Sequence, residues 1–202
     1  LDSLDLLEED FRRSTGNSVL ITHSNAKALR FNEAIRERLW KSGSSEIQPG
    51  DILLVNRNDH KTGLCNGDIV RVLSVDSPTT LHSIHLRNIS DPVRLRFRNV
   101  RIAFPAADTA KDAVEYGVLI LENLLDSPER ILSALEQRAL LVDFTYRHKD
   151  LKRNSREFLL GLAQDLFFNA LQVKYGYAMT CHKSQGGEWA RVVVNFEPSH
   201  PS

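Results

Sequence analysis

Two short β-branched runs stand almost at opposite ends of this chain, and both read as strands. Val19-Leu20-Ile21-Thr22 reads as a buried strand, and Val192-Val193-Val194 reads as another. From about Asn25 to Trp40 the sequence is helical, with Ala28, Phe31, Ile35 and Leu39 on one side. A strand and helix placed far ahead of another strand fit an α/β core interrupted by an insertion. Leu171-Gln172-Val173-Lys174-Tyr175 is expected to return the chain to that core. Before it, Leu4, Leu7 and Phe11 predict an amphipathic helix over residues 4–13, broken by Gly16 and Asn17.

The insertion has two parts. Pro49-Gly50-Asp51 is a turn, followed by a strand at Ile52-Leu53-Leu54-Val55. Cys65-Asn66-Gly67-Asp68 is an Asn-Gly turn, followed by a strand at Ile69-Val70-Arg71-Val72-Leu73. Residues 80–86 and 93–98 alternate at period two. Such closely spaced short strands predict a small β-barrel over residues 49–105. Residues 106–170 are expected to be helical. Ser127-Pro128-Glu129 predicts one helix start, and Asn154 with Glu157 predicts a capping box at another. The boundaries are therefore 1–48, 49–105, 106–170 and 171–202. There is no internal repeat and no low-complexity tract.

The chain has 202 residues and a formal net charge of zero. That balance supplies no global basic field, so contact with nucleic acid must come from local patches. Two cysteines, Cys65 and Cys181, are too few for a disulfide framework and suit a reducing cytoplasm. No apolar run is long enough to cross a membrane. The sequence contains no G-x-x-x-x-G-K-[ST] phosphate loop, and no buried strand ends in a paired Asp-Glu that could hold magnesium. No catalytic residue and no metal site is expected in this chain, and both of its ends look like cuts in a longer polypeptide.

The chemistry concentrates between Tyr177 and Trp189. A short apolar run delivers Thr180, His182, Lys183 and Gln185 to a Gly186-Gly187 turn, followed by Glu188. Adjacent glycines let backbone N–H groups approach a phosphate, and the preceding side chains can grip a second anion. Asn25, Asn32 and Arg36 fall at helical spacings and form a polar stripe that begins at a helix N-terminus, where anions are favoured. Set against these readings is a plain strand-to-helix turn with a capped, solvated helix. Arg94, Arg96 and Arg98 share one face of a strand; a solvated edge strand is the simpler reading than a phosphate track. Arg147, His148, Lys149, Lys152 and Arg153 read as a solvated loop between helices. Cys181 and His182 are adjacent on a strand and face apart, which argues against a nucleophilic dyad.

The Thr180-x-His182-Lys183-Ser184-Gln185-Gly186-x-Glu188 segment resembles motif V of RecD-like superfamily-1 DNA helicases, whose members include exonuclease V alpha subunits. The Gly50-Asp51 and Asn66-Gly67-Asp68 strands resemble the Src-homology-3-like barrel inserted in the second motor domain of that family. The resemblance implies an α/β fold, the second RecA-like domain of the P-loop NTPase type, carrying that barrel and a helical segment. It implies DNA contacts from Thr180, His182 and Lys183, with Asn25, Asn32 and Arg36 bordering the DNA track. It implies ATP contacts from Gln185, Gly186, Gly187 and Glu188. The parent protein would use ATP and Mg²⁺ to step along single-stranded DNA, typically 5′ to 3′. Its partners would be single-stranded DNA, an upstream RecA-like domain of the same chain and possible nuclease complex subunits, with no membrane. The magnesium ligands and the motif VI arginine lie outside this chain, so ATP hydrolysis is not expected from it alone. A non-motor nucleic-acid-binding module and the helicase half of a nuclease complex are the alternatives.

Overall fold

The computed structural model describes residues 8–11, 18–40, 46–104 and 113–195. Its centre is strand β1, Ser18–Thr22, in which Val19, Leu20 and Thr22 are buried and Ile21 is partly so. Two late strands flank it in parallel, β8 (Ala178–Thr180) on one side and β9 (Arg191–Val194) on the other. The pairing of Leu20 with Ala178 and Thr22 with Thr180 places the carboxyl ends of β1 and β8 side by side. The two ends of the described chain thus share one sheet. Helix α1, Asn25–Leu39, packs across β1 and β8. Ser24 caps it by accepting from the Lys27 N–H, and Ala28 and Ile35 are buried beneath it. Residues 8–11 are helical, and the remainder of the helix expected over 4–13 lies outside the described residues.

β9 differs from expectation. It was predicted to be buried, but Val192 and Val194 are 45% and 41% exposed because the strand pairs only with β1.

A second sheet holds the intervening strands. β2 (Ile52–Val55) pairs antiparallel with β3 (Ile69–Val75) and with β7 (Leu171–Tyr175). β7 runs parallel to β6 (Val114–Leu121), and β6 pairs antiparallel with β5 (Val93–Phe104). β5 in turn pairs with β3, closing a ring of five strands. β4 (Thr80–Ile84) attaches outside the ring, on β5. The protein is therefore mixed α/β, with one parallel sheet and one sheet containing both strand directions.

Three expectations change. Residues 106–170 are not uniformly helical, because Val114–Leu121 is a ring strand. Leu171–Tyr175 closes the ring instead of rejoining the parallel sheet; the return comes three residues later, at Ala178. The helix starts also shift. Pro128 precedes an irregular stretch, and α2 (Ala134–Arg147) begins after Ser133, which forms a capping box with Glu136. α3 (Arg156–Gln164) is capped by Ser155, while Asn154 sits just outside at φ +61°.

The switch between sheets is abrupt. Only Gly176 and Tyr177 separate β7 from β8. The Gly176 N–H donates to the Ile52 carbonyl at 2.9 Å. A Cβ at residue 176 would lie 3.2 Å from the Ile52 side chain and from the Leu53 and Leu54 backbone, so a side chain here requires those neighbours to give by a few tenths of an ångström. One continuous core joins the two sheets. Leu20, Ile35 and Tyr177 belong to the same buried cluster as Leu53, Val100 and Val173.

The arginine face of β5 is only partly covered: Arg94 is exposed, Arg96 is part-exposed and Arg98 is buried. Arg98 is buried against Glu122 at 2.8 Å, and Arg96 meets Asp126 at 2.6 Å. β5 is no edge strand: it pairs with β3, β4 and β6. Arg147 is likewise engaged. It bridges Asp143 at 2.9 Å and Asp165 at 2.6 Å, tying α2 to the segment after α3. Burial opposes ionisation of Asp165, but hydrogen bonds from Arg147 and the Phe168 N–H outweigh it and hold the carboxyl below its usual range.

Candidate functional site

The loop after β8 is built by a few local bonds. The Thr180 carbonyl accepts from the Lys183 N–H at 2.9 Å and from the Ser184 N–H at 3.2 Å, which turns the chain out of the strand. The Ser184 hydroxyl donates to the Cys181 carbonyl at 2.9 Å. The Cys181 N–H reaches the Thr22 carbonyl at 3.3 Å, pinning the loop to the end of β1. The two glycines serve different needs. Gly186 has φ +82°, a conformation other residues enter only with strain. Gly187 lies under the Trp189 ring, and a Cβ there would fall 2.1 Å from a ring carbon.

This loop opens into a cleft of about 900 Å³. Thr180, His182, Lys183, Gln185, Gly186, Gly187 and Glu188 all line it, and so does Asn25 at the start of α1. The cleft lies at the carboxyl ends of parallel strands, where open α/β sheets receive ligands. Eight of the ten residues singled out from the sequence are therefore brought together.

Asn32 and Arg36 are not among them. Both were expected on a solvent-facing stripe, and both are buried. Asn32 braces β8 from behind: its Nδ2 donates to the Ala178 carbonyl at 2.9 Å, and its Oδ1 accepts from the Ala178 N–H at 2.8 Å. Arg36 donates to both oxygens of the fully buried Asp51, at 3.0 and 2.9 Å, and lies over the Tyr175 ring. The same helical spacing that suggested a stripe turns these two residues toward the sheet.

Several cleft residues were not singled out as site residues: His23, Asn66, Asp68, Arg130 and Trp189 also line it. Asn66 and Asp68 belong to the Asn-Gly turn between β2 and β3, and Asn66 accepts a hydrogen bond from the Lys183 ammonium. Arg130 comes from the stretch before α2.

A narrower crevice shares Asn25, Arg130, Thr180 and Lys183 with the cleft and is further lined by Lys174. Burial pushes the Lys183 ammonium below its ordinary range, and the charge of Arg130 adds to the effect. Lys174 is pushed down to about 8, chiefly by burial and further by Lys183, against an opposing pull from Glu129. Its ammonium donates to the Ser127 carbonyl at 2.7 Å.

Lys174 therefore opposes folding wherever it must be charged. Below about pH 8 it is protonated in both folded and unfolded chains, and the full cost applies. The cost fades as pH rises from about 8 toward the unfolded value of 10.5. Lys174→Met is expected to stabilise the chain at neutral pH by roughly 1 kcal/mol, allowing for partial exposure. Thermal melts at neutral pH and near pH 10 check this: the gain should shrink at the higher pH, and a constant gain would contradict it.

Among the described residues, no group of three or more His, Cys, Asp or Glu side chains is placed to hold a metal ion. Cys65 and Cys181 are exposed thiols. Among the same residues, no helix is long and apolar enough to cross a membrane. The chain matches no protein-family model and has no significant match to a curated protein.

Proposed function

We propose that this chain is the C-terminal motor portion of a RecD-like superfamily-1 DNA helicase. On this reading the parallel sheet β8-β1-β9 with α1 is part of a RecA-like domain, and the closed ring is its inserted Src-homology-3-like barrel. One observation carries the proposal. The Thr-x-His-Lys-Ser-Gln-Gly-x-Glu segment leaves a parallel strand at the sheet's carboxyl edge and enters a large cleft beside a helix N-terminus.

The roles divide along the loop. Thr180 and His182 contact backbone phosphates of single-stranded DNA, aided by Lys183 and Asn25. Gln185, Gly186, Gly187 and Glu188 face the nucleotide. The fit is reasonable on two counts: all four line the cleft, and Gly186 has no neighbour within 4 Å of where a Cβ would stand, leaving its backbone approachable. ATP would supply the free energy for stepping, with Mg²⁺ held by residues of the upstream domain. A single short loop would then touch DNA and nucleotide together, so that occupancy of one site biases the other.

Titration of labelled oligothymidylate at several salt concentrations tests the DNA side. Thr180→Ala and His182→Ala are each expected to weaken binding severalfold, and equally for other base compositions, because phosphate contacts carry no sequence information. Thr180→Ala should leave the log–log salt slope unchanged. Lys183→Ala should reduce its magnitude by about 0.7, one phosphate contact on a single strand. If Thr180→Ala and His182→Ala both bind like the wild type, the loop is not a DNA contact.

A further inference from the structure

We infer that Arg130, Lys174 and Lys183 form a cationic subsite that takes a backbone phosphate of the same single strand, beside the Thr180–His182 contact. This rests on the reading that the cleft binds a strand.

Three arginines elsewhere in the protein are paired with carboxylates, whereas the exposed Arg130 and the part-buried Lys174 and Lys183 are not. Arg36 is paired with Asp51, Arg98 with Glu122, and Arg147 with Asp143 and Asp165. Each is matched by a carboxylate at hydrogen-bond distance. The cleft cations are not. Lys174 is held by a neutral carbonyl, that of Ser127. Lys183 is held by a neutral amide, that of Asn66. The Arg130 side chain has no hydrogen bond or ion pair among the described residues, and it lies on the walls of both cleft and crevice.

These three residues come from separate elements: β7, the loop after β8 and the stretch before α2. The fold nevertheless gathers them closely enough that Lys183 feels Arg130 and Lys174 feels Lys183 as like charges. Acidic groups do occur nearby, but none cancels the cluster. Glu129 acts on Lys174, the Asp68 carboxylate accepts from the Cys65 N–H, and Glu188 stands on the cleft wall. Two cations with neutral partners and a third with none, around the crevice that all three line, constitute a site awaiting an oxyanion. Phosphate suits it: guanidinium offers a planar fork, and the two ammonium groups offer point charges. Asn25, on the same walls, adds an amide donor.

The test is binding of labelled oligothymidylate to the 202-residue chain at a series of salt concentrations, with tripolyphosphate as a separate ligand. Arg130→Ala and Lys174→Met should each weaken strand binding severalfold and reduce the salt slope by about 0.7. Arg130→Lys should keep the slope. Thr180→Ala should weaken binding without changing the slope, which separates the two groups of contacts. Wild-type slopes for Arg130→Ala and Lys174→Met, with cooperative melting that shows both variants folded and a damaged Thr180→Ala, would overturn the subsite and leave the cleft reading intact. Absence of any strand binding by the wild type would overturn both. Arg130-dependent binding of tripolyphosphate, with strand binding unaffected by Arg130→Ala, would reject the assignment to a strand.

Discussion

Arg36→Ala is expected to remove roughly 3–5 kcal/mol of folding stability, the usual penalty for stranding a buried charge. Asp51 is fully buried and is the hub of the region below the cleft. It accepts from Arg36, from the Trp40 indole at 3.0 Å, from the Tyr177 hydroxyl at 2.7 Å and from the Gln48 N–H at 2.7 Å. Only Arg36 among these carries a positive charge. Burial alone would lower the Arg36 pKa, yet Asp51 overrides it and drives the value upward. The pair is therefore strongly coupled, and loss of the guanidinium leaves a carboxylate with neutral donors only. Urea unfolding would read the effect as a lower midpoint at unchanged slope. Replacing both partners, Arg36→Met with Asp51→Leu, should recover part of the loss, because a removed pair leaves no buried charge. A loss below about 1 kcal/mol for Arg36→Ala would show that water reaches Asp51 freely.

Asn32→Leu is the second large effect, at roughly 2–4 kcal/mol. The leucine fills a similar volume but returns neither hydrogen bond to the Ala178 N–H and carbonyl. Both backbone groups are buried, so each incurs a desolvation penalty. Because β8 has only three residues, weakened support at Ala178 is transmitted directly to Thr180. Faster hydrogen exchange at the Ala178 amide would register the change. Asn25→Ala, at the exposed start of α1, should leave stability almost unaltered. If Asn32→Leu instead melted like the wild type and lost strand binding, Asn32 would be a DNA contact after all.

These two residues show where the sequence was legible and where it was not. The periodicity of Ala28, Phe31, Ile35 and Leu39 located α1 to within a residue, since an amphipathic helix writes its own face into the chain. The same periodicity could not say how wide the buried face would be. Asn32 and Arg36 lie inside it because they bond Ala178 and Asp51, partners outside the helix that its periodicity does not reveal. The loop from Thr180 to Glu188 was readable because its function in turning the chain depends on local glycines. Arg130 was not, since only the closed ring carries it to Lys183. Strand β6 was missed for a related reason. Val114–Leu121 becomes a strand by pairing with β5 and β7, and β7 lies some fifty residues further along the chain. At Ser133 the capping signature Ser-x-x-Glu was present in the sequence, but the Ser-Pro step at 127–128 offered a competing start.

The two-residue crossing at Gly176 and Tyr177 has a mechanical consequence. Two extended residues reach only about 7 Å, so the connection behaves as a stiff coupling and not as a leash. Both of its ends are fastened, Gly176 to the Ile52 carbonyl and Tyr177 to the Leu20 N–H. A displacement of the ring against the parallel sheet therefore loads the three-residue contact between β8 and β1 along with the shared core. Thr180 is the last residue of that contact, and the cleft loop begins immediately beyond it. A load placed on the ring would be felt where the chain enters the cleft.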